Sequence, residues 1–308
     1  MEGFIGFKDI LEGFNRRADK NILSHAHLIV GADGIGKSIL ARKFALKILN
    51  KEIDRDYIDI VNYKVNKNSF GVDDVRGIID EVMKKPYEGD KKVIIIHDGN
   101  KLTIQAQNAL LKTIEEPPKG VYIIILTDSI EVMLDTIKSR CQIYKLTPLS
   151  KDEISLYINR LGTYSEIKVL AAIAYSEGIP GKAEHILNDE KLNSLRDYLM
   201  NLIIDINDKK NIVLDYEKKL ESFKDRKDDI LNILESIIRD VIVYKELQDV
   251  SMIINVDKLE QINNCSNNTS YNRLNKMLGE IKKTRINLMN NSSYSIAISL
   301  MLMGLSEG

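Results

Sequence analysis

Short apolar runs rich in β-branched residues punctuate the first half of the chain. They fall at His27–Val30, Tyr57–Val61, Val93–Ile96, Tyr122–Leu126 and Ile143–Leu146, each bounded by polar residues or glycine. Between them apolar residues recur at helical spacing, first at Ala41, Phe44, Ala45 and Ile48, then at Val72, Val75, Ile79 and Val82. Asp73 and Asp74 open the second of these stretches, where a helix N-terminus favours acids. Strand runs alternating with amphipathic helices predict a five-stranded parallel sheet wrapped by crossover helices.

After Pro148 the strand signals stop. Ser150 and Glu153 have the spacing of a capping box and open a helix through Tyr157 and Ile158. A second helix is predicted over 166–176, and the turn Gly178-Ile179-Pro180-Gly181 starts a third. From about residue 190 the pattern is only helical. It is clearest in Ile230, Leu234, Ile237, Ile238, Val241 and Tyr244, which share one face. The polar stretch from Asn263 to Tyr271 reads as a loop ahead of a last pair of helices. The chain thus divides into an α/β part at 1–148, three helices at 149–190 and an all-helical part at 191–308.

A length of 308 residues accommodates two or three domains and a sizeable core. Lys plus Arg number 44 against 45 Asp plus Glu, a net charge of −1, so no global basic field attracts nucleic acid. Any DNA contact is local or shared with partners. Cys141 and Cys265 are the two cysteines, too few for a disulfide framework or a four-cysteine zinc site. That usage points to a reducing, cytoplasmic setting. No apolar run reaches membrane-spanning length, and the acid-bearing start MEGFIGFKDILEGF does not read as a signal peptide.

One motif carries chemistry. Gly31-Ala32-Asp33-Gly34-Ile35-Gly36-Lys37-Ser38 fits G-x-x-x-x-G-K-[ST], between an apolar strand and an amphipathic helix. Its glycines let backbone N–H groups converge on phosphate, and the following helix adds the positive end of its dipole. Lys37 is placed to reach the β- and γ-phosphates, and the Ser38 hydroxyl to ligate Mg²⁺. ATP or ADP, with Mg²⁺, is the expected ligand. Hydrolysis also needs an acid at the end of a neighbouring strand, and after Val93–Ile96 stands His97, with Asp98 next. An imidazole is a poor ligand for Mg²⁺, and adjacent strand residues point to opposite faces. Either His97 or Asp98 holds the acidic-motif position, and nucleotide binding is better supported than hydrolysis.

The segment Ala106-Gln107-Asn108-Ala109-Leu110-Leu111-Lys112-Thr113-Ile114-Glu115-Glu116-Pro117-Pro118 resembles the AAA+ clamp-loader family of bacterial DNA polymerase III subunits. Ser24-His25-Ala26, Val72-Asp73-Asp74-Val75-Arg76, Lys85-Pro86-Tyr87-Glu88-Gly89 and Ser139-Arg140-Cys141 agree, and together they cover most of residues 1–148. The resemblance implies a RecA-like P-loop domain, a small helical lid and a helical collar that mediates oligomerisation. It implies a hetero-oligomeric, replisome- and nucleoid-associated protein. The partners implied are the delta and gamma/tau loader subunits, the sliding clamp and primed DNA, with no membrane. Residue by residue, Arg140 takes the place of an arginine finger acting on the adjacent subunit's nucleotide, Thr127 that of the first sensor and Lys182 that of a basic second sensor. Asp98 joins the nucleotide and Mg²⁺ site, and no zinc is expected. Loss of the acidic pair at His97 and Asp98, together with Ile254-Asn255-Val256-Asp257-Lys258 and Asn290-Asn291 in the tail, resembles the family's non-motor branch. The intact phosphate loop keeps open the alternative of an ATP-hydrolysing gamma/tau-type motor. Cys141 reads as a small buried hydrophobe, and His25 and His27 as packing residues.

Overall fold

A computed structural model describes residues 5–64, 69–208, 213–290 and 292–306. These residues fall into two compact units, one within the bounds 1–157 and 178–181 and the other within 158–177 and 182–308.

The first unit alternates helix and strand in the order α1 (Lys8–Asp19), β1 (Ala26–Val30), α2 (Lys37–Ile48), β2 (Ile60–Tyr63), α3 (Val72–Met83), β3 (Lys92–Ile96), α4 (Ile104–Glu115), β4 (Val121–Thr127), α5 (Asp135–Lys138) and β5 (Gln142–Lys145). All the pairings are parallel, in the order β2-β3-β4-β1-β5. Successive strand residues serve opposite faces. Ile29, Val93, Ile95, Ile124 and Leu126 pack with Phe14 of α1 and Phe44 of α2, while Leu28, Val30, Ile94, Ile96, Ile123 and Ile125 pack with α3, α4 and α5. Both faces are covered, which explains why the central strands read as unbroken apolar runs.

One strand lies further along than its apolar run suggests. Tyr57 does not open β2; its carbonyl accepts from Ile60 N at 3.0 Å, closing a turn. The buried Asp59 carboxylate accepts from Tyr87 N at 2.7 Å and Glu88 N at 2.8 Å. That bond pair is what Lys85–Gly89 contributes before β3: a loop tied to the sheet.

His27 is fully buried among the rings of Phe14 and Tyr144, with centroids 5.4 and 5.8 Å away. Burial lowers its pKa from the ordinary 6.5 to about 4. The folded chain therefore resists a proton that the unfolded chain accepts. Stability from this group is complete above pH 6.5 and is lost as pH falls from 6.5 towards 4, by up to about 3 kcal/mol. Urea melts at pH 7 and pH 4.5 should show a smaller acid loss in His27→Leu than in wild type; equal losses would place the acid sensitivity elsewhere.

The chain beyond the sheet is helical: α6 (Lys151–Leu161), α7 (Glu166–Ser176), α8 (Pro180–Asn188), α9 (Glu190–Asp208), α10 (Val213–Glu221), α11 (Lys227–Leu247), α12 (Leu259–Asn268), α13 (Tyr271–Met289) and α14 (Tyr294–Ser306). The capping box forms, with Ser150 Oγ accepting from Glu153 N at 3.2 Å and Glu153 Oε2 from Ser150 N at 2.9 Å. Pro180 takes the first position of α8, where its missing N–H costs nothing. The core of the second unit centres on Ile230, Leu234, Ile237, Ile238 and Val241 of α11.

The stretch from Asn263 is a correction: it is not a loop but the second half of α12. Ile262, Cys265 and Ser266 turn inward while Asn263, Asn264, Asn267 and Asn268 face outward, so an apolar face too short to register as a pattern decides the conformation. The break comes only at Thr269, and Ser270 caps α13 by accepting from Arg273 N at 3.3 Å.

Asn255 and Asp257, noted in the tail, are structural ties. The fully buried Asp240 carboxylate accepts from Asn255 N at 2.7 Å and Asn255 Nδ2 at 2.8 Å, while Asn255 Oδ1 accepts from Arg196 at 2.9 Å. Arg196 forks onto Asp257 at 2.8 and 3.1 Å. A buried charge network of this kind holds only while every member is paired.

Candidate nucleotide-binding site

The phosphate loop joins β1 to α2 at the carboxyl edge of the sheet. Gly34 and Gly36 have φ of +79° and +109°, a conformation that favours glycine and lets the loop reverse into the helix. The loop is anchored at its start and at its middle. Gly31 N donates to Thr127 O at 3.1 Å, and Gly34 O accepts from Gly181 N at 3.0 Å. Gly181 has to be glycine for the second bond, since a Cβ there would lie 2.8 Å from Gly34 Cα. Asp33 and Ser38 are exposed, Ile35 is buried beneath the loop, and the N–H groups of the first turn of α2 lack intrahelical partners. Such a loop suits an anion.

Lys37 crosses the base of the loop. Its ammonium donates to Gly31 O at 2.8 Å, Ala32 O at 3.1 Å and Asp128 Oδ1 at 2.6 Å. Asp128 is a site residue that sequence reasoning missed; it follows Thr127 at the end of β4, and Thr127 is in register with Val30 of β1. Thr127 itself is buried and its hydroxyl donates to Ser129 O at 2.9 Å.

On the other side of β4, His97 follows β3 and lies 3.0 Å from Asn62 Oδ1 of β2. Burial, then the charge of Lys64, lowers its pKa, so the ring is neutral at pH 7. Asn62 carried no signal in the sequence because the two residues meet only through β2–β3 pairing. Asp98 adopts φ of +54° ahead of a 3₁₀ turn over Gly99–Lys101, with Oδ2 buried and 3.5 Å from Lys101 Nζ. It faces its own turn. Among the described residues no three or more His, Cys, Asp or Glu side chains gather as a metal site.

Arg140 follows α5 at the edge of the same unit. Its Nε pairs with Glu115, at the end of α4, and Nη1 donates to Thr136 O at 2.9 Å and Ser139 Oγ at 3.2 Å. Glu115 and Arg140, both within motifs singled out in the sequence, are thus brought together. Burial pushes the neighbouring Cys141 thiol up to about 12, so it stays protonated and unreactive at neutral pH. Lys182 lies in the first turn of α8 in the second unit, and pairs with Glu177 at 2.8 Å.

A five-stranded parallel sheet covered on both faces, with this loop between β1 and a helix, is a P-loop domain of the AAA+ type. The chain belongs to the DNA polymerase III delta-subunit family. The model described as "DNA polymerase III, delta subunit" matches residues 6–150, and "DNA polymerase III, delta subunit, C terminal" matches residues 190–305. The delta' subunit of Escherichia coli (strain K12) is 29% identical over 234 residues, which span 76% of this chain and 68% of that subunit. The delta' subunit of Buchnera aphidicola subsp. Schizaphis graminum is 26% identical over 258 residues, 83% of this chain and 76% of that one. A gamma subunit from the same Buchnera is 30% identical over 176 residues, but these span only 51% of this chain and 47% of the relative. Among solved structures, a gamma-subunit-related protein of Thermotoga maritima superposes with a TM-score of 0.52 over 96% of this chain and 98% of that one, at 18% identity, a likeness of fold. Among the described residues no helix is long and apolar enough to cross a membrane.

Proposed function

We propose that this chain is a delta'-like, non-motor subunit of a clamp loader, which helps place a sliding clamp on primed DNA and supplies Arg140 to the nucleotide of an adjacent subunit. Its delta' relatives align over both halves of the chain, whereas the gamma alignment covers about half. The observation that carries the non-motor reading is His97: a neutral imidazole held by Asn62 stands where a motor needs a metal-linked acid. The alternative, a gamma/tau-type motor, draws its support from the intact phosphate loop.

In this reading Gly31, Asp33, Gly34, Ile35, Gly36, Lys37 and Ser38 cradle the phosphates of ATP or ADP, with Thr127 and Lys182 as sensors. Bound Mg²⁺ would neutralise phosphate charge; Ser38 supplies one oxygen, and Asp98 is the acid available, though its present pairing with Lys101 fits poorly. A three-part division at 1–148, 149–190 and 191–308 goes with this reading. It draws support from the last strand ending at Lys145 and the gap between the matched segments 6–150 and 190–305. Reconstitution tests the function: delta, gamma/tau, clamp and primed DNA should load clamps only when this chain is added. Equal loading without it would contradict the proposal.

A further inference from the structure

We propose that Asp128, by holding the Lys37 ammonium, is a specificity-determining residue that makes the phosphate loop favour a nucleoside diphosphate over a triphosphate. The inference rests on the reading of this loop as a nucleotide site. An ammonium has three N–H donors, and those of Lys37 are directed at Gly31 O, Ala32 O and Asp128 Oδ1. Two of these acceptors are neutral carbonyls; Asp128 is the one that brings a charge. The Lys37 side chain is 10% exposed and that of Asp128 44%, so their 2.6 Å pair is only partly screened by solvent.

The sheet builds the pair in. Val30 is in register with Thr127, and Gly31 N donates to Thr127 O, so the residue after Thr127 arrives at the base of the loop. The phosphates of a nucleotide do not depend on Lys37 equally. Backbone N–H groups cradle the α- and β-phosphates, whereas the terminal phosphate of a triphosphate relies on the lysine and the metal. Here the lysine is committed to a carboxylate, and the strand end that would steady the metal presents the His97 ring, 3.0 Å from Asn62 Oδ1, where a carboxylate would be needed. Both cationic partners of a γ-phosphate are weakened, whereas a diphosphate, although its β-phosphate also meets Lys37, keeps the backbone N–H groups that cradle it. A γ-phosphate must also share its lysine with an anion.

Isothermal titration of the full chain with Mg-ADP and with the β,γ-imido analogue of Mg-ATP tests this. Wild type should bind ADP more tightly than the analogue. Asp128→Asn should tighten the analogue by about tenfold, the worth of one charged hydrogen bond, and ADP by much less. Asp128→Ser, which keeps no amide to form new bonds, should do the same. In a Lys37→Met background Asp128→Asn should no longer change the preference. An unchanged ADP-to-analogue ratio in both Asp128 variants, with nucleotide still bound, overturns the inference and leaves the site reading intact. Failure of every protein to bind either ligand removes the site reading and the inference together.

Discussion

A loader reconstituted with Arg140→Ala should lose part of its DNA- and clamp-stimulated ATP turnover while the chain's own nucleotide affinity stays nearly constant. An arginine finger contributes on the order of a thousandfold at the site it serves. In the proposed role one neighbouring site would depend on Arg140, so the whole complex would lose that site's share and keep the rest. The geometry suits the role. The guanidinium is partly exposed, and it is oriented by Glu115, Thr136 O and Ser139 Oγ. Arg140→Lys keeps the charge but not the planar fork and should restore little. A mutant complex with normal turnover and normal clamp loading would make Arg140 a surface residue tied to Glu115 and nothing more.

Ile296→Asp combined with Leu300→Asp should abolish co-purification with the other loader subunits and leave the fold intact. The terminal apolar run sorts into two faces. Ile298, Met301 and Leu302 are buried in the core of the second unit, whereas Ile296, Leu300 and Met303 are 62%, 55% and 49% exposed. Their spacing of four and three residues puts them on one stripe of α14. Burying an Ile or Leu side chain contributes about 1.5–3 kcal/mol, and a buried unpaired carboxylate costs more, so two replacements weaken assembly by at least about a hundredfold. Truncation before Asn290 would also remove buried Ile298, Met301 and Leu305 and so confuse assembly with folding. Gel filtration of the mixed subunits, with thermal melts of the variant, separates the two; retained assembly would remove this stripe from the interface.

The sheet was legible because β1, β3 and β4 are buried on both faces and carry near-continuous apolar runs, whereas the partly exposed β2 gives a weaker pattern and lies further along than its run suggests. Chemistry confined to one motif, as in Gly31–Ser38, was legible for the same reason: its meaning is local. What sequence reading missed is long-range pairing. Asp128 meets Lys37 and Asn62 meets His97 only because the strand order puts β4 beside β1 and β2 beside β3. Glu115 and Arg140 were each visible in a motif, but their pairing depends on how α4 and α5 sit on the same face of the sheet. The misread of Asn263–Asn268 has another cause. Four asparagines outweigh Ile262 and Cys265 in any compositional reading, yet those two buried residues keep the segment helical.

The most direct test of the non-motor account is steady-state ATP turnover by the purified chain alone, measured beside a gamma/tau subunit. With neutral His97 held by Asn62 and Lys37 held by Asp128, turnover should stay at background while His97→Asp raises it. Wild-type turnover equal to that of the gamma/tau subunit would contradict the account.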